Sequence, residues 1–427
     1  MSLALLLIFM ILMIIGVPIA VALGVSSVFT ILVFTDIPLS SVIQSMFTSM
    51  NSFVMVGVPL FILAGSLMDE GGVADKIYNF CDASVGWIYG GLGHVSVMTS
   101  MLFAGMSGSS VAAIASIGKM SINALEKKGY PKDYATAINL IGSMLASIIP
   151  PSILMIIAAS VADVSVGQAL IAGLIPGILI GIVFMIYNYI YCKKTGIGDK
   201  SPFDIKRLIK TFIAAIPSLL VPVIILLGMF TGIYTPTEAA AIAVAYTIFI
   251  SVFVYKKLKF KDIPRIIKSR ARATGSILFV AITAKPASFI FNLDGLPAKV
   301  ASLISSVSTN RIIILLLIFL FLIFVGMFMD ATAAIYILVP ILLPAVVTVG
   351  ISPLFFVVFM IITLSFGLIT PPVGVCLYAA ENVTGLAIED IVKATIPWLL
   401  LTVAIIITLI FIPQIITAPV NFIFQLK

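Results

Sequence analysis

The chain contains Ile148-Ile149-Pro150-Pro151-Ser152-Ile153 and, 221 residues later, Ile369-Thr370-Pro371-Pro372-Val373-Gly374. Each Pro-Pro pair lies inside a long apolar run, at residues 133–160 and 354–381. Proline has no N–H and clashes with the carbonyl four residues earlier, so neither run can be one continuous helix. The sequence therefore predicts two helices that are broken near their middle.

The composition places these broken helices in a membrane. Of the 427 residues, 62% are apolar and only 10% are charged, and the mean hydropathy is +1.27. A soluble domain is about 45–50% apolar and about 25% charged, so too little polar surface remains here to cover a water-exposed fold. Cytosolic, nucleic-acid-binding and disulfide-rich classes are excluded, and an all-α polytopic membrane protein is predicted. The three cysteines lack metal-ligand spacing and are interpreted as small core residues.

The basic residues predict which segments face the cytoplasm. Of the 24 Lys and Arg residues, 20 fall in five places, namely Lys76, Lys393 and residues 119–132, 193–210 and 256–272. Cytoplasmic segments of membrane proteins are enriched in Lys and Arg. Residues 35–52 and 340–354 contain neither, and they are predicted to lie outside.

Residues 91–125 and 311–349 are predicted to be re-entrant hairpins, which enter and leave the membrane on the same side. The first is too long for one crossing and has a Gly-rich middle, Gly105-Met106-Ser107-Gly108-Ser109. Each of its arms has about 14–16 residues, or about 21–24 Å of helix, whereas the hydrocarbon core is about 30 Å thick. The second run has Gly326 and Asp330 at its middle.

The two halves of the chain form a predicted repeat. A shift of 221 residues superimposes Gly105-Met106 on Gly326-Met327, Ala113-Ile114 on Ala334-Ile335, Gly129 on Gly350, Pro150-Pro151 on Pro371-Pro372 and Ala158-Ala159 on Ala379-Ala380. Because the basic 119–132 falls on the charge-free 340–354, corresponding segments lie on opposite sides. This pattern indicates an inverted-topology repeat, which many secondary transporters use for alternating access. The predicted boundaries are 1–192 for the first repeat, 193–210 for a cytoplasmic linker and 211–427 for the second repeat.

The prolines deprive four backbone carbonyls of their helical partners, those of Ala146, Ser147, Gly367 and Leu368. Unpaired carbonyls are tolerated within a membrane only where they line a cavity or bind something. A hard cation such as Na⁺ takes several oxygen ligands, and further oxygen atoms are available from Ser107, Ser109, Gly326 and Thr370. The alternative is a structural kink sealed by a neighbouring Ser or Thr.

Six motifs follow one another along nearly the whole chain: GVPLFILAGSLMDEGG (57–72), GMSGSSVAAIASIG (105–118), IIPPSI (148–153), YTPTEAAAIAVAY (234–246), GMFMDATAAIYILVPILLP (326–344) and GLITPPVGV (367–375). In this set the chain resembles the large membrane subunit of the tripartite ATP-independent periplasmic (TRAP) transporters. The resemblance implies an elevator-type secondary transporter in the bacterial cytoplasmic (inner) membrane, and not an enzyme. It also implies sodium-coupled symport of a small organic acid, such as a C4-dicarboxylate or sialic acid.

The resemblance further implies partners and site residues. A separate small four-helix membrane subunit is expected, since no additional N-terminal helices are present, together with a periplasmic substrate-binding protein. Of two implied Na⁺ sites, the first comprises Ser107, Ser109, Ala146, Ile149 and Pro151, and the second comprises Gly326, Gly367, Thr370 and Val373. The candidate substrate contacts are Ser109, Ser152, Asp330, Thr370 and Lys285.

Other functions remain open at this point. A stand-alone ion-coupled organic-anion symporter or antiporter, which needs no binding protein, is the main alternative. Gly105-Met106-Ser107-Gly108 matches intramembrane serine proteases, but the single histidine, His94, lies more than ten residues away on the same arm. An ion-pumping subunit of a redox complex would show cofactor ligands or chains of intramembrane acids. Lys285 is interpreted either as a snorkelling residue beside a break at Pro286, or as a partner of Asp330 or of the substrate carboxylate.

Overall fold

The chain folds into helices throughout the part that the structure describes. The structure, a computed structural model, describes residues 1–107, 109–198 and 202–425, without the side chains of 104–107, 116–117 and 425. Within these ranges every regular element is a helix. Together with the apolar spans given below, this confirms the predicted all-α membrane fold class.

The first half runs from α1 to α11. Its helices are α1 (Ser2–Ile14), α2 (Ile19–Phe34), α3 (Leu39–Met50), α4 (Phe53–Glu70), α5 (Val73–Val85), α6 (Gly91–Ser107), α7 (Ser110–Ala113), a π-helix (Ile114–Gly118), α8 (Lys119–Lys127), α9 (Lys132–Met144), a 3₁₀ turn (Leu145–Ser147), α10 (Ile153–Val161) and α11 (Val166–Thr195).

The second half runs from α12 to α21. Its helices are α12 (Ile205–Thr231), α13 (Pro236–Phe249), a π-helix (Ile250–Val254), a 3₁₀ turn (Phe260–Asp262), α14 (Ile263–Leu293), α15 (Leu296–Val307), α16 (Arg311–Phe328), α17 (Ala331–Thr348), α18 (Pro353–Gly367), α19 (Val375–Thr384), α20 (Ile388–Phe411) and α21 (Gln414–Gln425).

Eight of the described helices are long and apolar enough to cross a membrane, judged by length and composition. They are Phe53–Glu70, Val166–Thr195, Ile205–Thr231, Pro236–Val254, Phe260–Leu293, Arg311–Phe328, Ala331–Thr348 and Ile388–Phe411. Large apolar side chains on these helices, such as Leu227, Leu320 and Leu400, are more than half exposed. Apolar surface of this extent is covered by lipid or by another membrane protein.

Both broken helices occur where the prolines predict them. The first consists of α9 and α10, with its 3₁₀ turn and an irregular segment at 148–152 between them, and the second consists of α18 and α19, with residues 368–374 between them. Their first parts are among the most deeply buried elements, since every residue of 134–144 and of 355–367 is buried. The Pro150–Pro151 and Pro371–Pro372 peptide bonds are both cis. The first break itself is buried throughout, at residues 148–152, whereas the second is partly buried at Thr370, Pro371 and Val373 and exposed at Pro372.

Both predicted hairpins contain two helical arms. In the first, α6 is followed by the continuous helical run of α7, the π-helix and α8, and in the second, α16 is followed by α17. Each arm of the second hairpin has 18 residues and is long and apolar enough to span a membrane by itself. The lengths of α16 and α17 are therefore compatible with two full crossings as well as with a re-entrant hairpin. That the second hairpin is re-entrant stays a prediction.

The helices of the two halves pack in matching pairs. Helix α2 packs on α14 and α4 packs on α13, while α6 packs on α9 and α16 packs on α18. Helix α10 contacts α17, and α19 contacts α7 and the π-helix behind it. Under the 221-residue shift these contacts form equivalent pairs, namely α2–α14 with α13–α4, α6–α9 with α16–α18, and α10–α17 with α19–α7. Two groups result, one of α2, α4, α13 and α14, and one of the hairpins and broken helices.

Several segments that the charge pattern treats as loops are helical. Helix α14 begins at Ile263, ten residues before the end of the basic segment 256–272, and α3 occupies most of the predicted external loop 35–52. Pro264 stands in the first turn of α14, where its fixed φ favours helix initiation, and Lys and Arg are good helix formers. Similarly, α11 extends to Thr195 and α12 begins at Ile205, so the predicted linker 193–210 is shorter than expected.

Candidate functional site

The first break is joined to the first hairpin by hydroxyl groups. The Oγ atoms of Ser110, the first residue of α7, and of Ser147, the last residue before the break, are 2.8 Å apart, and both side chains are buried. Ser152 Oγ donates to the Ser147 carbonyl at 2.6 Å and accepts from the Met155 N–H at 3.2 Å. Ser152 is therefore the buried N-cap of α10, a role that uses its hydroxyl within the protein.

The second break is joined to the second hairpin by backbone. A Cβ atom added at Gly367 would lie 2.6 Å from the Cα of Gly326, so α16 and α18 touch at these two glycines. The Gly374 N–H also donates to the Met327 carbonyl at 3.0 Å. Two residues of the second predicted Na⁺ site, Gly326 and Gly367, are thereby in direct contact.

Most of the carbonyls that the prolines deprive of helical partners find other donors. The Ser147 carbonyl accepts from Ser152 Oγ, the Leu368 carbonyl accepts from the Cys376 N–H at 3.0 Å, and the Gly367 carbonyl accepts from the Thr370 N–H at 3.0 Å. The expectation that these three carbonyls are unpaired is wrong. Ser152 and Cys376 donate after the chain has folded back behind each Pro-Pro pair, whereas the Thr370 N–H closes a turn just before Pro371. A carbonyl has two lone pairs, so one of them remains for a further ligand.

The remaining residues of the two predicted Na⁺ sites lie at the same breaks. Ala146, Ile149 and Pro151 are buried at the first break, and Thr370 and Val373 are partly buried at the second. Ser107 ends α6, but its side chain lies outside the described part of the chain. The Thr370 hydroxyl donates to the Phe366 carbonyl at 2.7 Å, which leaves the lone pairs of its oxygen free to face a cation.

One cavity of about 490 Å³ connects the hairpins and the breaks. On one wall it is lined by both hairpin tips (Ser109–Ala112 and Asp330–Ala333), by Ser147 and Leu368 from the breaks, and by Ile153 and Leu154 from the start of α10. The opposite wall is formed by the start of α2, the end of α4 and the first half of α14. The volume is in the range of about 300–1,000 Å³ that is usual for small-molecule sites.

The two tips are built alike. Ser109 Oγ accepts from the Ala112 N–H at 3.4 Å, and Asp330 Oδ1 accepts from the Thr332 N–H at 2.8 Å. Ser109 and Asp330 are equivalent under the 221-residue shift, and each caps the start of the second arm of its hairpin. Of the candidate substrate contacts, these two line the cavity.

The other three candidate substrate contacts do not line it. Ser152 is buried as a helix cap, and Thr370 lies in the second break away from the cavity wall. Lys285 lies on the exposed face of α14, and in the described part of the chain it forms no ion pair with Asp330. The interpretation of Lys285 as a partner of Asp330 is therefore wrong, because this side chain is exposed and does not line the cavity that contains the carboxylate. The predicted helix break at Pro286 is also wrong, since α14 continues through this proline. The histidine of the protease motif, His94, is buried near the start of α6, with Nε2 3.2 Å from the Tyr89 carbonyl oxygen.

Sequence reasoning missed the two charged groups on the opposite wall of the cavity. Asp69, near the end of α4, and Arg270, in the first half of α14, both line it, with 3.9 Å between Asp69 Oδ2 and Arg270 Nη2. Arg270 is one of eight basic residues in 256–272. Because this segment was interpreted as a cytoplasmic segment, Arg270 was not recognised as a residue of the cavity. Helical spacing is the signal that could have found it, since Arg270, Ala273, Ile277 and Val280 recur on one face of α14 and all line the cavity.

Comparison with known proteins places this architecture in a family. Residues 6–415 match the family described as "Tripartite ATP-independent periplasmic transporter, DctM component". The C4-dicarboxylate TRAP transporter large permease protein DctM of Pseudomonas aeruginosa is 34% identical over 394 residues, which cover 92% of each chain. The sialic acid TRAP transporter large permease protein SiaM of Vibrio cholerae is 34% identical, with 88% of this chain and 89% of that protein covered.

Two further similarities concern a longer relative and a solved fold. The isethionate TRAP transporter permease protein DctMQ of Oleidesulfovibrio alaskensis is 35% identical over 95% of this chain, which spans 64% of that protein. The crystal structure of the YdaH transporter of Alcanivorax borkumensis has a TM-score of 0.62 at 15% identity, with 87% of each chain covered, and it shows similarity of fold. These relatives and the apolar helices place the chain in the bacterial inner membrane as a multi-pass protein. The chain belongs to the DctM family of TRAP transporter large permeases.

Proposed function

We propose that this chain is the sodium-coupled, membrane-embedded transport subunit that imports a small organic acid delivered by a periplasmic binding protein. In this role it carries out transport and no catalysis. The observation that carries the proposal is the single cavity that touches both hairpin tips and both Pro-Pro breaks. Substrate and coupling ions would then bind at neighbouring positions, which coupling requires.

The oxygen atoms at the breaks fit Na⁺ as the coupling ion. The proposed ligands are hydroxyl and backbone carbonyl oxygens, the type that a hard cation prefers. The buried hydroxyl pair Ser110–Ser147 lies beside the first set, and the contact between Gly326 and Gly367 lies at the second. A cation bound at either break would hold the hairpin against its broken helix, so the hairpin would close around the substrate only when the ion is present.

The cavity fits a small organic anion. The N-termini of α10 and α17 face it, and N-terminal peptide dipoles favour negative charge. Arg270 adds a positive side chain on the opposite wall. The relatives named above are permeases for C4-dicarboxylates, sialic acid and isethionate, so the proposed substrate is a carboxylate of the C4-dicarboxylate or sialic acid type.

The two groups of helices support an elevator mechanism as part of this proposal. The tips and breaks form one wall of the cavity, whereas α2, α4 and α14 form the other. Movement of the first group past the second would carry the bound anion across the membrane and leave each group internally unchanged. Matched packing of the two halves, such as α2 on α14 and α4 on α13, supports two equivalent end states of an inverted repeat.

The test is reconstitution of the chain in liposomes with its small four-helix membrane subunit and its binding protein. Labelled succinate, N-acetylneuraminate and isethionate are offered under an inward Na⁺ gradient. Uptake of one of them is expected with all three components and Na⁺, and none is expected when choline replaces Na⁺. Strong uptake by this chain alone would favour a stand-alone symporter. Uptake that follows a proton gradient in choline would overturn sodium coupling.

A further inference from the structure

Arg270 and Asp69 form the one acid–base pair, among the described ion pairs, whose two members both line the cavity. One turn away, Arg265 and Glu70 form a second ion pair between the same two helices, α14 and α4, but neither of these residues lines the cavity. The Asp69 side chain is 17% exposed and that of Arg270 is 39% exposed, against 33% and 62% for Glu70 and Arg265. The cavity pair is therefore the more enclosed of the two, and Arg265 and Glu70 form the closer pair, with both guanidinium nitrogens Nη1 and Nη2 on the carboxylate.

The contact between Asp69 and Arg270 leaves most of the guanidinium unused. At 3.9 Å the two nearest atoms are beyond hydrogen-bond distance, so the pair is not the two-bond arrangement that Arg forms with a carboxylate at full strength. A guanidinium has five N–H donors in a planar fork. The neighbouring lining residues on α14, Ala273 and Ser276, are small, so a second carboxylate has room to approach the fork.

The pair lies at the end of the cavity that faces the basic segments of the chain. On α4 the lining residues run from Ile62 to Asp69 and on α14 from Arg270 to Val280, so Asp69 and Arg270 are the lining residues of these helices nearest to the basic segment 256–272. Arg270 itself belongs to the basic segment 256–272, and basic segments face the cytoplasm. An anion that leaves the hairpin tips for the cytoplasm would therefore pass Arg270.

We propose that Arg270 binds the carboxylate of the transported anion on its path to the cytoplasm, and that Asp69 occupies the guanidinium when the anion is absent. This inference rests on the proposed function and adds a specific binding residue to it. The negative charge of Asp69 offsets the positive charge of Arg270 on this wall of the cavity. The attraction for the anion is thereby limited, and the anion can be released. Without Asp69, the partly exposed Arg270 would hold the anion more tightly, because no neighbouring carboxylate would compete for its guanidinium.

The inference predicts opposite effects for the two members of one ion pair. Arg270→Gln removes the cation and should weaken anion binding about tenfold, the loss expected for a charge-assisted hydrogen bond. Arg270→Lys keeps the charge but not the planar fork, and it should weaken binding by less. Asp69→Asn removes the competing carboxylate and should tighten binding severalfold. A pair that merely holds α4 to α14 would give changes of the same direction for Arg270→Gln and Asp69→Asn.

The experiment uses the chain with its small membrane subunit in lipid nanodiscs containing Na⁺, which leave both sides accessible. Binding of succinate, N-acetylneuraminate and isethionate is measured by calorimetric titration, and the anion that the wild type binds is used for the variants. Arg265→Gln and Glu70→Gln are the matched controls, since they break the neighbouring pair outside the cavity, and they should leave the affinity unchanged.

Two negative results are distinguishable. If the wild type binds an anion but Arg270→Gln and Asp69→Asn shift its affinity in the same direction, or not at all, the role of Arg270 is overturned and the proposed function stands. If the wild type neither binds nor transports any of the three anions, the proposed function is overturned together with this inference.

Discussion

The two Pro-Pro breaks occupy equivalent positions in the chain but are joined to their hairpins by different chemistry. At the first break, the contact is made by side chains, with the hydroxyls of Ser110 and Ser147 2.8 Å apart. At the second, it is made by backbone, where Gly326 and Gly367 touch and the Gly374 N–H donates to the Met327 carbonyl. Under the 221-residue shift Ser147 corresponds to Leu368, which has no hydroxyl to offer.

At these positions the predicted repeat keeps the place of the contact between hairpin and break but not the residue types that make it. Ala146 stands at the first break where Gly367 stands at the second, and Ala146 is fully buried. The first break therefore accommodates a methyl group at this position, whereas the second break has no space for one. The second break depends on the absence of side chains, whereas the first depends on two particular hydroxyls. The two breaks should respond differently to substitution.

The largest expected effect is the all-or-none labelling of single cysteines. It reports on which side of the membrane equivalent positions of the two halves lie. In a cysteine-free background, Lys128→Cys and Val347→Cys place thiols at exposed positions just after α8 and near the end of α17. If the halves are inverted, a membrane-impermeant maleimide should label position 347 in intact cells and position 128 only in inside-out vesicles. Labelling of both from one side would refute the inverted repeat, and with it the equivalence of the two breaks.

The next largest effect is expected at the backbone contact of the second break. Gly367→Ala would place a Cβ 2.6 Å from the Gly326 Cα, and backbone atoms cannot move aside as a flexible side chain can. Overpacking of this kind costs about 1–3 kcal/mol. A lower melting temperature of the purified protein and loss of Na⁺-dependent uptake are expected.

Gly275→Ala is the matched control for Gly367→Ala. Gly275 lies inside α14, where an added Cβ would meet nothing within 4 Å. Replacement of a helical glycine by alanine should then stabilise the protein by up to about 1 kcal/mol. If both alanine variants melt alike, the contact between α16 and α18 is not as tight as the structure indicates.

The positions of the breaks and hairpins could be predicted because proline and glycine act through the local backbone. Pro150-Pro151 and Pro371-Pro372 end a helix whatever surrounds them, and Gly326 marks the middle of a run that is too long for one helix. The partners of the carbonyls at the breaks could not be predicted in this way. The donor to the Leu368 carbonyl is the Cys376 N–H, which arrives only because the chain turns back after the prolines.

The sequence analysis identified the part of the cavity wall that belongs to the hairpin tips, whereas helical spacing places Arg270 on one face of α14 without showing what that face contacts. Ser109 and Asp330 stand at the sharp turns of the hairpins, so their place in a site follows from the sequence pattern. Arg270 and Asp69 face the cavity because α14 and α4 pack at a particular rotation, which tertiary contacts determine. Conversely, the polar residue Ser152 lies in a Pro-Pro motif but caps a helix, because its hydroxyl is already used by Ser147 and Met155.

A smaller effect is expected when one hydroxyl is removed from each proposed Na⁺ site. Ser109→Ala and Thr370→Val each delete one of several oxygen ligands, so the Na⁺ concentration for half-maximal uptake should rise about fivefold. Thr363→Val is the control for Thr370→Val, since the Thr363 hydroxyl makes the same type of intrahelical bond, to the Phe359 carbonyl at 2.8 Å, away from the break. Unchanged Na⁺ dependence in both site variants would show that these hydroxyls do not bind the ion, and a shift in only one would show that the two sites are unequal.

The smallest effect is expected at the hydroxyl pair of the first break. Ser147→Ala leaves the buried Ser110 hydroxyl without this partner, whereas the double variant Ser110→Ala/Ser147→Ala removes both groups and should cost less than the sum of the single changes. Hydrogen bonds between membrane helices have an average coupling energy of about 0.6 kcal/mol in double-mutant cycles. Thermal melting, followed by the fluorescence of the two tryptophans, measures this coupling. Thr136→Ala is the control partner for Ser110→Ala, since the Thr136 hydroxyl donates to the Lys132 carbonyl within α9 at 2.7 Å, and this second cycle should be additive. A coupling energy of zero for Ser110 and Ser147 would leave backbone contact as the means by which both hairpins are held, and the contrast between the two breaks would disappear.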